Sequence, residues 1–148
     1  MTQSSHHMKH VGTSKTTLYV PRGIVWSYVA QFENLNKWWS FLQFSDEAVL
    51  PESGKEYEAV VNRGANEGSF LAKVLVEELD PGNKITFHLP LLYYRYVFIL
   101  EDRPPGCRVS VSYYSNINSW VDRASYWLHW DPSLAWSPLS KLRRLIRG

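Results

Sequence analysis

Cysteine is nearly absent from this chain, which has 148 residues and a single thiol at Cys107. One cysteine cannot form an intrachain disulfide, so a reducing compartment is the simpler expectation. Long apolar runs are missing as well. None approaches the roughly 18–20 residues that span a bilayer, and the polar start MTQSSHHMKH lacks the apolar centre of a signal peptide. The sequence therefore excludes a disulfide-bonded scaffold and predicts a cytoplasmic protein without a membrane-spanning helix.

The motifs of nucleotide and hydrolase chemistry are also missing. There is no G-x-G-x-x-G, no P-loop and no G-x-S-x-G, and the sequence offers no Ser-His-Asp or Cys-His set. His6, His7 and His10 cluster without cysteine or acidic ligands at a spacing that closes a metal site, so we expect no metal and no cofactor. A net charge of only +2, without an aromatic platform on a basic strand, argues against nucleic-acid binding.

Aromatic residues, in contrast, are abundant, with 7 Trp, 9 Tyr and 6 Phe. A hydrophobic fraction of 45% with 20% charged residues is typical of a globular chain, and this length suffices for one core. We expect a flexible polar N-terminus over residues 1–9 and a single domain over residues 10–148.

A helix and a following turn are predicted between Pro21 and Trp39. Pro21 suits a first helical position, and apolar residues recur after it with the helical period, which predicts a helix over about residues 22–32. Its core-facing stripe consists of Ile24, Val25, Tyr28, Val29 and Phe32. Asn34 is a candidate N-cap for a brief second turn. The apolar residues of that turn are Leu35, Trp38 and Trp39.

The chain from Phe41 to Asn116 is divided by closely spaced turns. Gly and Pro mark these turns, and the runs between them alternate, so an antiparallel meander is favoured. The predicted strands are His10–Val20, Ser45–Leu50, Glu56–Arg63, Ser69–Leu79, Lys84–Leu89, Tyr93–Asp102 and Arg108–Asn116.

Three local sequences carry a family resemblance. They are VWSYVAQFENLNKWW at 25–39, GKEY at 54–57, and Gly68 followed by VLVEELDPGNKITFHL at 74–89. With the element order, they resemble the START/Bet v 1-like (SRPBCC) superfamily, in its bacterial polyketide cyclase/dehydrase-like branch. The resemblance implies an α+β helix-grip fold, in which a curved seven-stranded antiparallel sheet wraps a C-terminal helix and encloses a cavity, with two short helices after strand 1. None of these sequences is a catalytic motif, so they indicate a scaffold rather than a reaction.

Alternation along the strands places many aromatic side chains on the inner wall of the sheet. Lys73, Arg95 and Arg108 mark outer faces, and His88 is also expected outside. Given the cavity that the resemblance implies, inward residues become candidate ligand contacts. The candidates are Tyr57, Arg63, Phe70, Ala72, Phe87, Tyr94, Tyr96, Phe98, Val111, Tyr113 and Trp127. In the competing interpretation, the rings only pack the core and Arg63 is a solvated strand end instead of a partner for a ligand carboxylate or phosphate.

The C-terminal region departs from the single long helix that the resemblance implies. Pro132 interrupts a helix that starts at Asn118 or Ser119, and Ser137-Pro138 begins a second helix, so we expect a hinged cover over the pocket. The apolar stripe of the second helix is Leu139, Leu142, Leu145 and Ile146. Residues 118–148 carry five basic and two acidic residues and four tryptophans. This combination suits peripheral membrane contact, whereas in the other interpretation the tryptophans fill the pocket and the arginines face solvent.

Two functional classes follow, and a third stays open. A binder or carrier of a hydrophobic small molecule, such as a lipid, an isoprenoid or an aromatic polyketide, requires only a cavity. A polyketide cyclase, aromatase or dehydratase also requires an acid/base pair inside, whereas the strand acids mostly face outward. A protein-partner module stays open because Trp38 and Trp39 could be exposed. We rank binding above catalysis.

Overall fold

Seven antiparallel strands form one curled, half-barrel sheet in the computed structural model, which describes residues 9–62, 68–91, 94–115 and 138–147. The strands are β1 (Lys9–Leu18), β2 (Leu42–Phe44), β3 (Glu56–Asn62), β4 (Ser69–Asp80), β5 (Lys84–Leu89), β6 (Tyr94–Arg103) and β7 (Gly106–Ser115). Their spatial order is β1-β7-β6-β5-β4-β3-β2. The predicted meander is confirmed, and Gly82 supplies a positive φ of 81° in the turn between β4 and β5.

The concave face of this sheet carries the core. The predicted inward residues of β4 and β6 are buried, including Val74, Val76 and Phe98 at 1% exposed or less, except Phe70 and Tyr94, which are half-buried. His88 lies on the opposite, convex face, as the alternation predicted, yet only 9% of it is exposed. It belongs to the central strand, where Leu75 of β4 and Arg95 of β6 flank it in register. Neighbours on both sides therefore cover a side chain that alternation alone assigns to solvent.

Two short helices, α1 (Arg22–Ala30) and α2 (Phe32–Trp38), connect β1 to β2. The chain bends between them at Gln31, whose φ of −110° and ψ of 125° are extended. Arg22 ties α1 to the sheet, because its Nε donates to Asp102 Oδ1 at 3.1 Å and its Nη1 donates to Asn83 Oδ1. This anchoring places α1 across the ends of β5 and β6.

The prediction of one helix over residues 22–32 is wrong at its end, since Phe32 already belongs to α2. Asn34 is not an N-cap; it lies inside α2, where its Nδ2 donates to the Ser27 carbonyl at 3.0 Å. Ile24 is 48% exposed, although it was expected in the core. Successive helical residues point about 100° apart, so a helix that buries Val25 and Val29 turns Ile24 toward solvent.

The paired tryptophans of α2 and its C-cap are buried. Trp38 is 1% exposed and Trp39 is 2% exposed, so the expectation that they could be exposed is wrong. Trp38 Nε1 donates to the Tyr28 carbonyl at 2.8 Å, which holds α2 against α1. The ground for a protein-partner module is thereby removed.

The predicted strand Ser45–Leu50 is also wrong, because β2 is Leu42–Phe44 and pairs with Ala59–Val61 of β3. Asn36 fixes β2 from α2: its Oδ1 accepts from Phe44 N at 2.7 Å and its Nδ2 donates to the Phe44 carbonyl at 3.0 Å. After Phe44 the chain turns, and Asp46 Oδ1 accepts from Ala48 N at 3.1 Å. An aspartate that bonds the backbone two residues later stabilises a turn in competition with strand pairing.

A C-terminal helix, α3 (Pro138–Arg147), begins at the predicted proline and packs against β1 and α2. Leu139 and Leu142 are buried and Ile146 is half-buried, whereas Leu145 is 36% exposed and does not belong to the stripe. The helical period places Leu145 roughly 60–120° around the axis from the other three. The predicted helix before Pro132, the break after it and the hinged cover lie outside the described residues. Among the helices described, none has the length and apolarity to cross a membrane.

Candidate ligand-binding site

An aromatic cluster fills the middle of the concave face. The ring centroid of Trp39 lies 5.6 Å from that of Phe87, 5.2 Å from that of Phe98 and 5.1 Å from that of Tyr96. Trp38 meets Phe98 edge-on at 6.1 Å. Phe87 and Phe98 are 0% and 1% exposed. Side chains therefore pack this part of the interior, and these rings belong to the core.

A second group, the tyrosine cluster, consists of Tyr94 and Tyr96 of β6 and Tyr113 of β7. Tyr96 and Tyr113 are in register across the two strands and stack, with ring centroids 4.9 Å apart and 21° between their planes. Tyr94 meets Tyr113 edge-on at 5.5 Å. Tyr96 and Tyr113 are almost fully buried, whereas Tyr94 is half-buried. The cluster thus extends from the packed core toward a more open part of the concave face.

The remaining candidate contacts are distributed over other strands. Tyr57 lies on β3, three strands from Tyr96 in the sheet order, and its hydroxyl accepts from Glu52 N at 2.8 Å. Phe70 and Ala72 lie on the concave side of β4, and Val111 of β7 is in register with Phe98. The structure thus brings Tyr94, Tyr96 and Tyr113 into mutual contact but does not bring Tyr57 to them. Arg63 and Trp127 lie outside the described residues.

Two residues of the site were not among the sequence candidates. Phe41 lies 5.6 Å from Tyr96 and 6.3 Å from Tyr94 between ring centroids, and Trp39 contacts Tyr96 as described above. Trp39 is the C-cap of α2, four residues after the buried Leu35, and the helical period placed it on the apolar side of the predicted second turn. Phe41 lies between α2 and β2, outside both periods, and the sequence did not indicate what it packs against.

Carboxylates lie away from the concave face throughout the part of the chain that the structure describes. Every described aspartate and glutamate is exposed except Glu77. Glu77 lies on the convex face, where its Oε2 accepts from Arg95 Nη2 at 3.0 Å. The described residues also contain no group of three metal-ligating side chains. Hydroxyl groups, those of the tyrosines and of Ser115 on the same face of β7 as Tyr113, are therefore the polar groups that stand near the tyrosine cluster.

Burial shifts the pKa of two titratable side chains, Cys107 and His88. Burial raises the pKa of the Cys107 thiol above its ordinary value, so the thiol stays protonated at neutral pH and is a poor nucleophile. Burial also lowers the pKa of His88, against the attraction of Glu77 and together with the repulsion of Arg95. No described residue offers His88 Nε2 a hydrogen-bond partner. His88 is thus held neutral beneath the Arg95–Glu77 ion pair on the convex face.

We expect the stability of this protein to fall as the pH is lowered below the ordinary histidine pKa, and part of that loss to come from His88. The unfolded chain binds a proton at that pKa, whereas the folded chain binds it only at lower pH, so acid favours unfolding until the depressed folded pKa is passed. Urea unfolding at about pH 7.5 and about pH 5.5 brackets the ordinary value. His88→Gln should lose less stability between the two pH values than the wild type, and His10→Gln, at an exposed position, serves as the control. An equal loss in the wild type and in His88→Gln would contradict the assignment.

Comparison with known proteins identifies the architecture. No protein-family model matches this chain, and no curated protein matches it. Among solved structures, protein NE0264 from Nitrosomonas europaea is 18% identical with a TM-score of 0.67, over 95% of this chain and 94% of that one. Protein Ms6760 from Mycobacterium smegmatis is 13% identical with a TM-score of 0.69, over 95% of this chain and 96% of that one.

A third similar structure has a biosynthetic context. DynU16, a protein in the dynemicin biosynthetic locus, is 14% identical with a TM-score of 0.59, and the match covers 96% of this chain and 48% of DynU16. At such identities the likeness establishes the fold alone. The chain has an α+β, helix-grip-like architecture.

Proposed function

We propose that this protein binds or carries a hydrophobic small molecule inside the curled sheet, with the tyrosine cluster as the polar part of the site. The observation that supports it is the contact among Tyr94, Tyr96 and Tyr113 on the concave face, at the margin of the packed aromatic core. Ligand sites are typically apolar walls with a few placed polar groups, and tyrosines provide both. Because a phenol hydroxyl donates and accepts, it can bond a ligand oxygen while it keeps a protein partner.

The fold supports a more specific proposal, that the protein belongs to the START/Bet v 1-like superfamily and its polyketide cyclase/dehydrase-like branch. The proposed ligand is accordingly a lipid, an isoprenoid or an aromatic polyketide. Carriage is favoured over catalysis by the position of the described carboxylates, which are exposed or paired with cations on the convex side. The biosynthetic locus of DynU16 favours the alternative, a cyclase, aromatase or dehydratase for a polyketide-like substrate.

Native mass spectrometry of protein purified from its own host tests the proposal most directly. We expect a bound species that can be extracted and that has a largely apolar skeleton with one or a few oxygens. A recovered lipid or isoprenoid supports carriage, and a recovered polyketide that is chemically altered on incubation supports the enzyme. Protein that is always empty, and that binds none of these classes when they are added, would rule out both.

We expect Tyr96→Phe to weaken binding of the recovered compound by about 0.5–1.5 kcal/mol, the usual contribution of one neutral hydrogen bond. The ring contacts with Trp39 and Tyr113 are retained in this variant, so its unfolding midpoint should stay close to that of the wild type. Tyr114→Phe is the matched control, because Tyr114 is the neighbour of Tyr113 on the opposite face of β7 and pairs its ring with His10. Isothermal titration calorimetry gives the affinities. Unchanged affinity in Tyr96→Phe would remove this hydroxyl from the site.

A further inference from the structure

A cleft lies at the free edge of β1, between this edge of the sheet and α3. It has a volume of about 420 Å³ and is lined by Lys15, Thr16, Thr17, Tyr19, Arg108 and Arg143. This volume falls within the roughly 300–1,000 Å³ range of small-molecule sites. The cleft therefore combines three cationic side chains with three hydroxyl groups in a space large enough for an organic anion.

The strand register explains why two of these cations meet. Thr17 is in register with Arg108 of β7, and Lys15 is in register with Ser110. Residues opposite one another in an antiparallel pair share a face. On that face, a residue lies about 7–8 Å from the residue two positions along the strand from its partner, which is its diagonal neighbour. Lys15 and Arg108 are such diagonal neighbours on the convex face. β1 is an edge strand, so no further strand covers it on the side away from β7.

Arg143 approaches from α3 and completes the cationic group. It follows Leu142, which is buried, lies about 100° around the helix from it, and lines the cleft together with Lys15 and Thr17 of β1. None of Lys15, Arg108 and Arg143 has a carboxylate partner within 4 Å among the described residues. Glu101, in register with Arg108, pairs with Arg103 at 3.6 Å instead. Three unneutralised cations that converge on one cleft repel one another and favour an anion between them.

The cleft also has an apolar continuation. A smaller hollow of about 240 Å³ shares Thr17, Tyr19 and Arg143 with it and is lined further by Leu18, Val20 and Ile146. Tyr19 stands between the two parts with 65% of its surface exposed. The cationic part suits a dianion held by charge-assisted hydrogen bonds, and the apolar part suits an organic group attached to it.

We propose that this cleft binds a phosphate monoester with an apolar organic group, with the phosphate among Lys15, Arg108 and Arg143 and the organic group against Leu18, Val20 and Ile146. The site lies at the edge of β1, apart from the tyrosine cluster, and is independent of the hydrophobic-ligand proposal. A phosphate monoester is available either as a soluble metabolite or as the head group of phosphatidic acid in a membrane, and the chemistry of recognition is the same.

The test uses phenyl phosphate as the soluble probe and vesicles with and without phosphatidic acid as the membrane probe, measured by calorimetry and by co-sedimentation. We expect saturable binding of phenyl phosphate or of the phosphatidic acid vesicles.

Arg143→Gln and Arg108→Gln should each weaken this binding about tenfold, which is the effect of losing one charge-assisted hydrogen bond of about 1.4 kcal/mol. Preference for phenyl phosphate identifies a soluble ligand, and preference for the vesicles identifies a lipid one. Inorganic phosphate should bind more weakly than phenyl phosphate if the apolar hollow contributes.

Arg144→Gln is the matched control, since Arg144 is an exposed neighbour on the same helix that does not line the cleft. It removes the same charge and should change the affinity less than twofold. Glutamine is a good helix former, so Arg143→Gln and Arg144→Gln should keep the wild-type circular dichroism and melting temperature. The same two measurements check that Arg108→Gln, in β7, is folded. Two results would overturn the proposal: neither probe binds the wild-type protein, or Arg144→Gln weakens binding as much as Arg143→Gln, which would indicate only a diffuse basic surface.

Discussion

Replacing Trp39 with alanine is expected to lower the free energy of unfolding by about 3–5 kcal/mol, the usual cost of truncating a large aromatic residue in a core. Trp39 is 2% exposed, and its ring contacts those of Trp38, Phe87, Tyr96 and Phe98. Truncation removes these contacts together and leaves a cavity that the surrounding sheet can fill only in part. Urea unfolding followed by circular dichroism measures the loss.

Two further variants separate a packing effect from a general sensitivity to mutation. Trp39→Phe keeps an aromatic ring in the same place and should lose clearly less stability than Trp39→Ala. Leu71→Ala removes a large apolar side chain from the convex face, where Leu71 is 56% exposed, and should stay within about 0.5 kcal/mol of the wild type. A loss in Trp39→Ala no larger than that in Leu71→Ala would show that Trp39 does not organise the core.

Replacing Gly106 with alanine is expected to destabilise the fold by about 1–3 kcal/mol or more, as overpacking does. A Cβ at this position would lie 2.0 Å from the Leu18 carbonyl oxygen and 2.8 Å from Tyr19 Cα. Both obstacles are backbone atoms, so no side chain can rotate aside, and the end of β1 must move away from β7. Hydrogen exchange should locate the disturbance at Leu18 and Cys107, which are paired in register.

Gly23 provides the matched control for this substitution. It lies in the first turn of α1, and a Cβ there would have no atom within 4 Å. Alanine is a better helix former than glycine, so Gly23→Ala should raise stability by about 0.5–1 kcal/mol. Opposite signs for the two glycines are the expected result. A neutral Gly106→Ala would mean that the close approach of the two strands is not needed.

Local patterns predicted the scaffold well. The turn residues divided the chain correctly, and alternation identified the buried faces of β4, β6 and β7, because a strand that is buried on one side repeats every two residues. The same reasoning failed at Ser45–Leu50, where a side-chain turn at Asp46 competes with strand pairing. It assigned His88 to the correct face but could not give its burial, which depends on the strands beside it.

The candidate site also contains some features that the sequence predicted and others that it did not. That Tyr94, Tyr96 and Tyr113 face inward followed from the sequence, and their ring contact followed from the register of β6 with β7. Trp39 was placed on the apolar side of the second turn, but its contact with Tyr96 could not be predicted, and Phe41 lies in a connection with no regular period. Tyr57 was correctly placed on the concave face by alternation, but the sheet order puts it three strands from Tyr96.

By itself, the sequence determined six of the seven strands, the positions of most turns and the buried faces of β4, β6 and β7, because these depend on residues within a few positions of one another. The tertiary structure alone decided which aromatic rings fill the core, which tyrosines meet, and that Lys15, Arg108 and Arg143 share one cleft. These juxtapositions join residues up to 128 positions apart in the sequence. They arise from strand order, register and the docking of α3 on β1, which depend on how the whole chain packs.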